Sequence, residues 1–267
     1  MLKKISSVQN PFVKQLVQLK EKSKLRKQTG LFIVEGKREI SLAIKGCYKL
    51  ETIYYCADLF SNAEAVALEA YEIDVIEISK MVYEKVAHRG TTEGVIAVAK
   101  ANKLSLNNLK ITSQNPLILV AESPEKPGNI GALLRTADAA NIDAVIIANP
   151  LTDMYNPNII RSSVGGVFTV PIATGTTNEI IQYLKSNNIA IYSAILQESV
   201  AYDSIDFSTP SAIIIGAEST GLSEKWRKIS TTKIQIPMQG KLDSMNLSVA
   251  AGIIIFEAKR QRKFVYN

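Results

Sequence analysis

The stretch at residues 234–262 reads IQIPMQGKLDSMNLSVAAGIIIFEAKRQR, and it organises the second half of the chain. Ile234 and Ile236 indicate a short strand that ends at Pro237, and apolar residues at helical spacing predict a long closing helix. The polar loop between them contains Gly240, Asp243, Ser244 and Asn246. Hydroxyl, amide and free backbone groups in such a loop suit a small polar ligand.

Length and composition favour a protein of two domains. The 267 residues are 46% hydrophobic, which is ample for buried cores, and the formal net charge of +6 leaves a polyanionic partner open. The N-terminus lacks the apolar core of a signal peptide, and no apolar run approaches the roughly 18 residues of a membrane span. Cys47 and Cys56 form neither a disulfide framework nor a metal-ligand pattern. We therefore expect a soluble cytoplasmic protein that uses no metal.

Alternating strand and helix patterns predict an α/β fold. Residues 1–100 alternate short apolar strands with helical segments, which indicates a small α/β domain. Residues 101–115 are polar with spaced leucines and are predicted to be a linker. Residues 116–267 form the second domain, whose almost continuously apolar strands are typical of a parallel sheet covered on both faces. Ligands of such sheets bind beyond the carboxyl ends of the strands, so loops at those ends are the candidate site.

A basic run follows the first predicted helix, which begins at Asn10-Pro11 with an N-cap and a proline at the first helical position. The run contains Lys22, Lys24, Arg26 and Lys27. It is either a solvated surface or a surface that contacts RNA phosphates, and the residues alone leave both open. The one histidine, His88, lacks the neighbours that a metal site or a catalytic dyad needs.

Two loops upstream of the closing stretch are also rich in polar residues and glycine. The first follows an apolar strand and continues into a helix that contains Asn129 and Arg135. In so apolar a helix, the guanidinium of Arg135 either faces an anion or an interface, or extends from the helix edge into solvent. The second loop contains Gly216, Glu218 and Gly221. Its glycines let the backbone approach a ligand closely, although an ordinary strand–turn–helix fits as well.

The motifs of several common enzyme classes are missing from the sequence. No G-x-G-x-x-G follows an early strand, no P-loop signature occurs, and no cluster of histidines or cysteines suggests a metal. Neither a histidine-paired nucleophile nor a pair of carboxylates suggests hydrolase chemistry. The remaining chemistry is a transfer whose electrophile is already activated.

Three segments resemble, in order and spacing, the motifs of the SpoU (TrmH-like) RNA 2′-O-methyltransferases of the SPOUT superfamily. They are residues 129–147, 213–223 and 234–258. The N-terminal part, through FIVEGKREISLAI and TTEGVIAVA, resembles the family's ribosomal-protein-like RNA-binding domain. The resemblance implies a parallel-sheet SPOUT methyltransferase domain with a C-terminal trefoil knot, preceded by a small α/β RNA-binding domain. It also implies S-adenosyl-L-methionine as the cofactor and a homodimer.

The resemblance also implies roles for individual residues. Arg135 is the implied catalytic arginine with Asn129 beside it, and Glu218 and Asn246 help to shape the site. The implied cofactor pocket comprises Gly216, Gly221, Leu222, Ile236, Met238, Ser244, Met245 and Leu247. Arg161 is a candidate for RNA phosphate contact, with a surface salt bridge as the alternative.

In the implied reaction the protein mainly aligns the two reacting groups. A sulfonium methyl is already electrophilic, so the enzyme places a ribose 2′-hydroxyl in line with it and stabilises charge on the oxygen. Arg135 suits that task or binds the neighbouring phosphate, and because a guanidinium keeps its proton, phosphate or water are alternatives as proton acceptor. The expected function is ribose 2′-O-methylation of ribosomal RNA. Transfer RNA is the alternative substrate, and a non-catalytic RNA-binding assembly factor is the competing hypothesis.

Overall fold

The computed structural model describes residues 3–69, 73–88 and 93–264, and its contacts divide the chain into two units. The N-terminal unit comprises Met1–Asn102 and Thr152–Thr169, and the C-terminal unit comprises Lys103–Leu151 and Val170–Asn267. The units therefore differ from the predicted continuous ranges, because a short segment from the second half belongs to the first unit. No helix among the described residues is long and apolar enough to cross a membrane.

Strands and helices alternate along the described chain, as the sequence predicts. The strands are β1 (Lys3–Ile5), β2 (Leu31–Glu35), β3 (Leu50–Tyr55), β4 (Asp74–Ile78), β5 (Val95–Lys100), β6 (Leu117–Glu122), β7 (Ala144–Ala148), β8 (Ile172–Gly175), β9 (Ala190–Ala194), β10 (Val200–Ala201), β11 (Ser211–Ile215) and β12 (Thr232–Gln235). The helices are α1 (Pro11–Glu21), α2 (Ser23–Thr29), α3 (Lys37–Lys45), α4 (Asn62–Glu69), α5 (Lys80–Val86), α6 (Pro127–Ala139), α7 (Pro157–Ser162), α8 (Thr177–Ser186), α9 (Glu224–Ile229) and α10 (Leu247–Gln261).

The N-terminal unit contains a mixed sheet of five strands in the order β1-β4-β3-β5-β2. Strand β4 pairs with β1 and β3 in parallel, whereas β5 runs antiparallel to β2 and β3. Helix α1 begins as predicted, because the Asn10 side chain accepts a hydrogen bond from the Phe12 amide at 2.9 Å. Its buried face, formed by Val13, Leu16 and Leu19, joins the core of the unit.

Arg26 lies inside the N-terminal unit and not on its surface. The residue is only 5% exposed, and its guanidinium pairs with Asp153 through bonds of 3.0 Å (Nε to Oδ1) and 2.8 Å (Nη2 to Oδ2). Its Nη1 also donates to the carbonyl oxygens of Leu19 at 2.6 Å and Lys20 at 3.0 Å. A buried bidentate pair of this kind keeps the guanidinium away from any RNA phosphate. The predicted RNA contact of Arg26 is therefore wrong, and the residue instead ties α2 to the segment before α7.

The C-terminal unit contains a sheet of seven strands in the order β10-β12-β9-β11-β6-β7-β8. All six neighbouring pairs are parallel. Every residue of the central strands β6, β7 and β11 is buried, which confirms the predicted α/β fold with a parallel sheet covered on both faces. Helix α10 packs against α6 and the sheet. Because β12, β9 and β11 are parallel neighbours in the sheet, their carboxyl ends lie side by side at one edge.

The polar stretch 101–115, predicted to be a linker, is partly ordered against the C-terminal unit. The Leu104 carbonyl accepts hydrogen bonds from the amide of Thr174 at 2.6 Å and from its hydroxyl at 3.1 Å. Ser105 forms a parallel bridge with Thr174, and a short 3-10 turn follows at Leu106–Asn108. The spaced leucines that interrupt this polar stretch explain the packing, because Leu106 and Leu109 lie against the core of the unit.

Candidate active site

A cavity of about 490 Å³ opens at the carboxyl ends of β9, β11 and β12 in the C-terminal unit. The loops that follow these strands and the first turn of α10 form its walls. Its lining includes all eight predicted cofactor residues: Gly216, Gly221, Leu222, Ile236, Met238, Ser244, Met245 and Leu247. Glu218 and Asn246, predicted to help shape the site, line it as well. Volume and mixed polarity are those of a site for one small organic molecule.

Gly216 allows the loop after β11 to close tightly on itself. The Gly221 amide donates a 2.9 Å hydrogen bond to the Ala217 carbonyl, and Gly221 has a φ of +64°. A β-carbon at Gly216 would overlap the carbonyl group of Gly221 and the amide nitrogen of Leu222. A residue without a side chain is therefore required here, and the backbone itself forms this wall of the cavity.

Side chains from the three predicted loops meet at the mouth of the cavity. The Asn129 side-chain amide donates to Glu218, and the Asn246 side-chain amide donates to the Asn129 oxygen at 3.3 Å. Asn246 is also the N-cap of α10, where its side-chain oxygen accepts from the Ser248 amide at 2.9 Å. The Glu125 amide adds a 3.4 Å contact to Glu218. This chain of polar contacts joins the start of α6, the loop after β11 and the start of α10.

Glu122 holds the end of the loop after β11 through hydrogen bonds, a role that the sequence reasoning missed. Its carboxylate is 5% exposed and accepts hydrogen bonds from the Ser223 amide at 2.8 Å and hydroxyl at 2.9 Å. The Thr177 hydroxyl donates a third bond at 2.6 Å. A buried carboxylate needs such donors, and here they tie the end of β6 to the starts of α8 and α9. The signal for this role was an acid at the end of an otherwise apolar strand.

Arg227 on α9 is a second residue that the sequence reasoning missed. Among the described residues that line the cavity it carries the one positive charge, whereas Glu218 and Asp243 carry negative charges. Its Nη1 donates to the Gln197 side chain at 3.0 Å, and its Nε donates to the Leu222 carbonyl at 3.3 Å. These two bonds hold the guanidinium at the cavity, where it is suited to bind an anionic group.

Arg135 is exposed on α6 and does not line the cavity. In the part of the chain that the structure describes, no carboxylate forms an ion pair with it. The structure thus brings Asn129, Glu218 and Asn246 together but leaves Arg135 apart from them within a single chain. An exposed and unpaired guanidinium on an apolar helix is available to another molecule.

The remaining predicted RNA contacts lie in the N-terminal unit. Lys22, Lys24 and Lys27 are exposed, which fits both a solvated surface and a surface that contacts RNA phosphates. Arg161 is exposed at the end of α7. Among the described residues no carboxylate lies within 4.0 Å of it, so the alternative of a surface salt bridge has no partner there.

Comparison with known families decides the classification of the chain. The model of the SpoU rRNA methylase family matches residues 116–256. The chain belongs to this family. A second model, the MRM3-like substrate binding domain, matches residues 10–97. The family resemblance predicted from three sequence motifs is confirmed, and the SpoU match includes the strands and loops that build the cavity.

Related proteins align with most of the chain. The 23S rRNA (guanosine(2553)-2′-O)-methyltransferase RlmP of Bacillus subtilis (strain 168) is 26% identical over 260 residues, which cover 97% of this chain and 100% of RlmP. The 23S rRNA (uridine(2479)-2′-O)-methyltransferase of Streptomyces viridochromogenes is 28% identical over 245 residues, which cover 89% and 85%. A crystal structure of an AdoMet-bound rRNA methyltransferase from Sinorhizobium meliloti superposes with a TM-score of 0.87 at 29% identity and covers 97% and 98%.

Proposed function

We propose that this protein transfers a methyl group from S-adenosyl-L-methionine to a ribose 2′-hydroxyl of ribosomal RNA. The observation that carries the proposal is the cavity at three neighbouring strand ends, lined by every residue predicted to hold the cofactor. Membership of the SpoU rRNA methylase family supports the reaction class. The relatives from Bacillus subtilis and Streptomyces viridochromogenes bear names that specify 23S rRNA, which favours ribosomal RNA over transfer RNA.

The lining of the cavity fits the chemical parts of S-adenosylmethionine. Leu222, Met245 and Leu247 offer apolar side chains for the flat adenine ring, and the backbone of the tight 216–221 loop offers polar groups for its edge. Arg227 is suited to the carboxylate of the methionine part, and Asp243 to its ammonium group. When bound, the cofactor supplies a methyl group that is activated by the adjacent sulfonium.

The protein's part in the reaction is alignment and charge stabilisation. Arg135 lies near the RNA in this proposal and stabilises negative charge that develops on the 2′-oxygen, or holds the adjacent phosphate. An arginine side chain has hydrogen-bond donors and no acceptor, so the hydroxyl proton leaves to phosphate or water. Asn129, Glu218 and Asn246 keep the loops at the mouth of the cavity in place through their mutual hydrogen bonds. The proposed location is the cytoplasm.

A homodimer and a trefoil knot complete the proposal, as the family resemblance implies. Val249, Ile253 and Phe256 form an apolar stripe at helical spacing on α10, and Val249 is 52% and Phe256 42% exposed. A second copy of the chain would bury this stripe. Arg135 then has access to the site of the partner subunit, because α6 packs beside α10. The knot is proposed for the last part of the C-terminal unit, where the chain runs from β11 through β12 into α10.

Dimer formation is expected to depend on the apolar stripe. Phe256→Glu places a charge in the proposed interface and should convert the protein to a monomer, as measured by sedimentation velocity. Val66→Glu is the matched control, because Val66 is 56% exposed on α4 and lies outside the stripe. A dimer that resists Phe256→Glu would place the interface elsewhere.

The reaction itself is tested with methyl-labelled cofactor and separate RNA substrates. We expect label in the ribose of ribosomal RNA, offered both as free RNA and as ribosomal subunits, and none in transfer RNA. Label confined to transfer RNA would replace the proposed substrate with the alternative one. Cofactor binding without label in any RNA would favour the non-catalytic assembly factor.

Arg227 is expected to recognise the carboxylate of the cofactor. Arg227→Gln should weaken binding of S-adenosylhomocysteine about tenfold, the loss of one charged hydrogen bond, and leave 5′-methylthioadenosine, which lacks the amino-acid part, unchanged. Isothermal titration measures both affinities without any RNA. Lys228→Gln on the same helix is the control, since Lys228 is exposed and outside the cavity. Equal weakening of both ligands would assign Arg227 a structural role instead.

The exposed lysines at and within α2, Lys22, Lys24 and Lys27, are expected to contact RNA phosphates. Replacing Lys22, Lys24 and Lys27 together by glutamine should weaken RNA binding and lower the slope of log affinity against log salt by about two. The control replaces three exposed lysines of the C-terminal unit, Lys103, Lys110 and Lys185. An unchanged slope in the first variant would assign these lysines to the solvated surface, the alternative that the sequence left open.

A further inference from the structure

A second cavity, of about 380 Å³, lies within the N-terminal unit, and the methyl transfer proposed above makes no use of it. It opens where β2 meets α3, and residues from α1, the end of α5 and α7 complete its walls. At the junction, Gly36 has a φ of +103°, and a β-carbon there would lie 2.6 Å from Glu39 Oε2. Glycine at this corner therefore leaves room for the Glu39 carboxylate at the cavity wall.

Among the residues that the structure describes, six charged side chains of both signs line this cavity without forming ion pairs with one another. The cations are Lys20, Arg38 and Arg161, and the carboxylates are Glu35, Glu39 and Glu93. Within residues 3–69, 73–88 and 93–264, no ion pair joins any two of these six. Opposite charges held apart around a cavity suit a ligand that carries both an anionic group and hydrogen-bond donors.

Two of the carboxylates would gain from a donor-bearing ligand. The Glu35 Oε2 accepts a hydrogen bond from the His88 amide at 2.8 Å, whereas its Oε1 is buried and has no hydrogen-bond partner among the described residues. Burial raises the pKa of Glu39 most, and a hydrogen bond from its own backbone amide lowers it. The negative charges of Glu93 and Glu35 raise this pKa further, against the positive charge of Arg38, which lowers it. Holding these negative charges together is unfavourable, and hydrogen-bond donors from a ligand would relieve it.

We propose that this cavity binds one unpaired guanine nucleotide of the RNA, an inference that rests on the function proposed above. The Glu39 carboxylate accepts the two adjacent N–H groups of guanine, at N1 and at the exocyclic amine. Arg38 and Arg161, both exposed at the cavity, bind the flanking phosphates. The N-terminal unit thereby selects the RNA by a base as well as by its charge.

Guanine is the base whose pairing edge matches a carboxylate. Its N1–H and amino group are neighbouring donors that fit the two oxygens of one carboxylate. Adenine and cytosine place a lone-pair nitrogen beside their amino group, and uracil places its N–H between two carbonyl oxygens. Each of those bases would turn an acceptor toward the carboxylate. Proteins read RNA sequence mainly through such splayed, unpaired bases.

Glu39 has a second possible task, which the choice of variant must separate from base recognition. It occupies the third position of α3, where a glutamate or glutamine side chain can accept from amides of the first turn, although the N-cap amide of Gly36 here donates to the Val95 carbonyl at 3.1 Å. Glutamine in place of Glu39 keeps that capping ability. It also turns a donor toward the donors of guanine, so it removes the proposed recognition and leaves the fold intact.

The test measures fluorescence anisotropy of the full-length protein with labelled RNA heptamers that differ only in the central base. We expect UUUGUUU to bind about tenfold or more tightly than its counterparts with A, C or U, as one bidentate contact allows. Glu39→Gln should reduce UUUGUUU to the affinity of the others. Glu84→Gln, at an exposed carboxylate on α5 outside the cavity, should keep the preference. Arg38→Gln and Arg161→Gln should weaken all four heptamers to a similar degree.

Equal binding of the four heptamers by the unaltered protein would overturn the guanine site. So would a guanine preference that survives Glu39→Gln. Titration with S-adenosylhomocysteine on the same samples keeps this outcome separate from the proposed methyl transfer. Cofactor binding without a base preference refutes the guanine site alone, whereas a base preference without cofactor binding supports the site and refutes the methyl-transfer proposal.

Discussion

Replacing Arg135 by alanine is expected to lower methyl transfer about 10²- to 10³-fold and to leave cofactor affinity unchanged, because a lost electrostatic contact to a developing oxyanion has that effect. The geometry supports this separation of the two readouts. Arg135 is exposed on α6 and lies outside the cavity, so its removal takes nothing from the cofactor's surroundings. Single-turnover methylation of ribosomal RNA measures the first quantity, and titration with S-adenosylhomocysteine measures the second.

The control for Arg135→Ala is Lys185→Ala, which removes an exposed cation from α8 of the same unit. This variant should keep full activity if the effect belongs to the position of Arg135 and not to overall charge. A parallel loss of cofactor affinity in Arg135→Ala would contradict the assignment, because it would move Arg135 into the cofactor pocket.

Mixing two impaired variants, at a cofactor concentration that leaves the Gly216→Ala cavity largely unbound, tests which subunit supplies the arginine. Arg135→Ala keeps its cofactor cavity, and Gly216→Ala keeps its arginine, so a mixed dimer can rebuild one complete site from the two chains. Refolding equal amounts together should restore about one quarter of the unaltered activity, since half of the dimers are mixed and each has one working site. An arginine that acts within its own chain would restore none.

The candidate site was predictable from the sequence where chemistry and local structure coincide. Gly216 and Pro237 come at the ends of apolar strands and Asn246 comes immediately before a helical pattern, and turn-forming or capping residues in those positions indicate loops. Parallel strands then bring such loops to one edge, whereas the eight individual cofactor residues came from the family resemblance. The N-cap of α1 at Asn10 was predictable for the same reason, because its hydrogen bond reaches only two residues along the chain.

Other features depend on partners that are distant in sequence. Arg26 belongs to a basic run in the sequence, yet it is buried because Asp153, 127 residues away, meets it in the same unit. Arg227 sits in an ordinary amphipathic helix, and only the fold places it beside Gln197 and the cavity. Local pattern describes which face of an element is apolar, but it does not say which element will cover that face. In the proposed dimer, Arg135 acts on the site of the partner subunit, and the pattern of one sequence does not describe such a contact.

Gly216→Ala is expected to weaken cofactor binding about 10- to 100-fold, the effect of an overpacked methyl group in a site that cannot expand freely. The added β-carbon would overlap the Gly221 carbonyl and the Leu222 amide, which are backbone groups and cannot rotate away. The loop must therefore open, and the 2.9 Å bond between the Gly221 amide and the Ala217 carbonyl is lost with it. Titration with S-adenosylhomocysteine measures the affinity, and thermal unfolding reports any loss of stability.

The matched control for this loop is Gly128→Ala, because a β-carbon at Gly128 has no neighbour within 4 Å and its φ is not left-handed. Alanine there lies in the first turn of α6, so stability should stay constant or rise by up to about 1 kcal/mol, and cofactor affinity should not change. Comparing the two variants therefore separates the effect of replacing a glycine as such from the effect of a methyl group that collides with neighbouring backbone. Gly216→Ala with unaltered affinity would mean that the backbone of this loop does not form the cofactor's wall, and the cavity would then need another ligand.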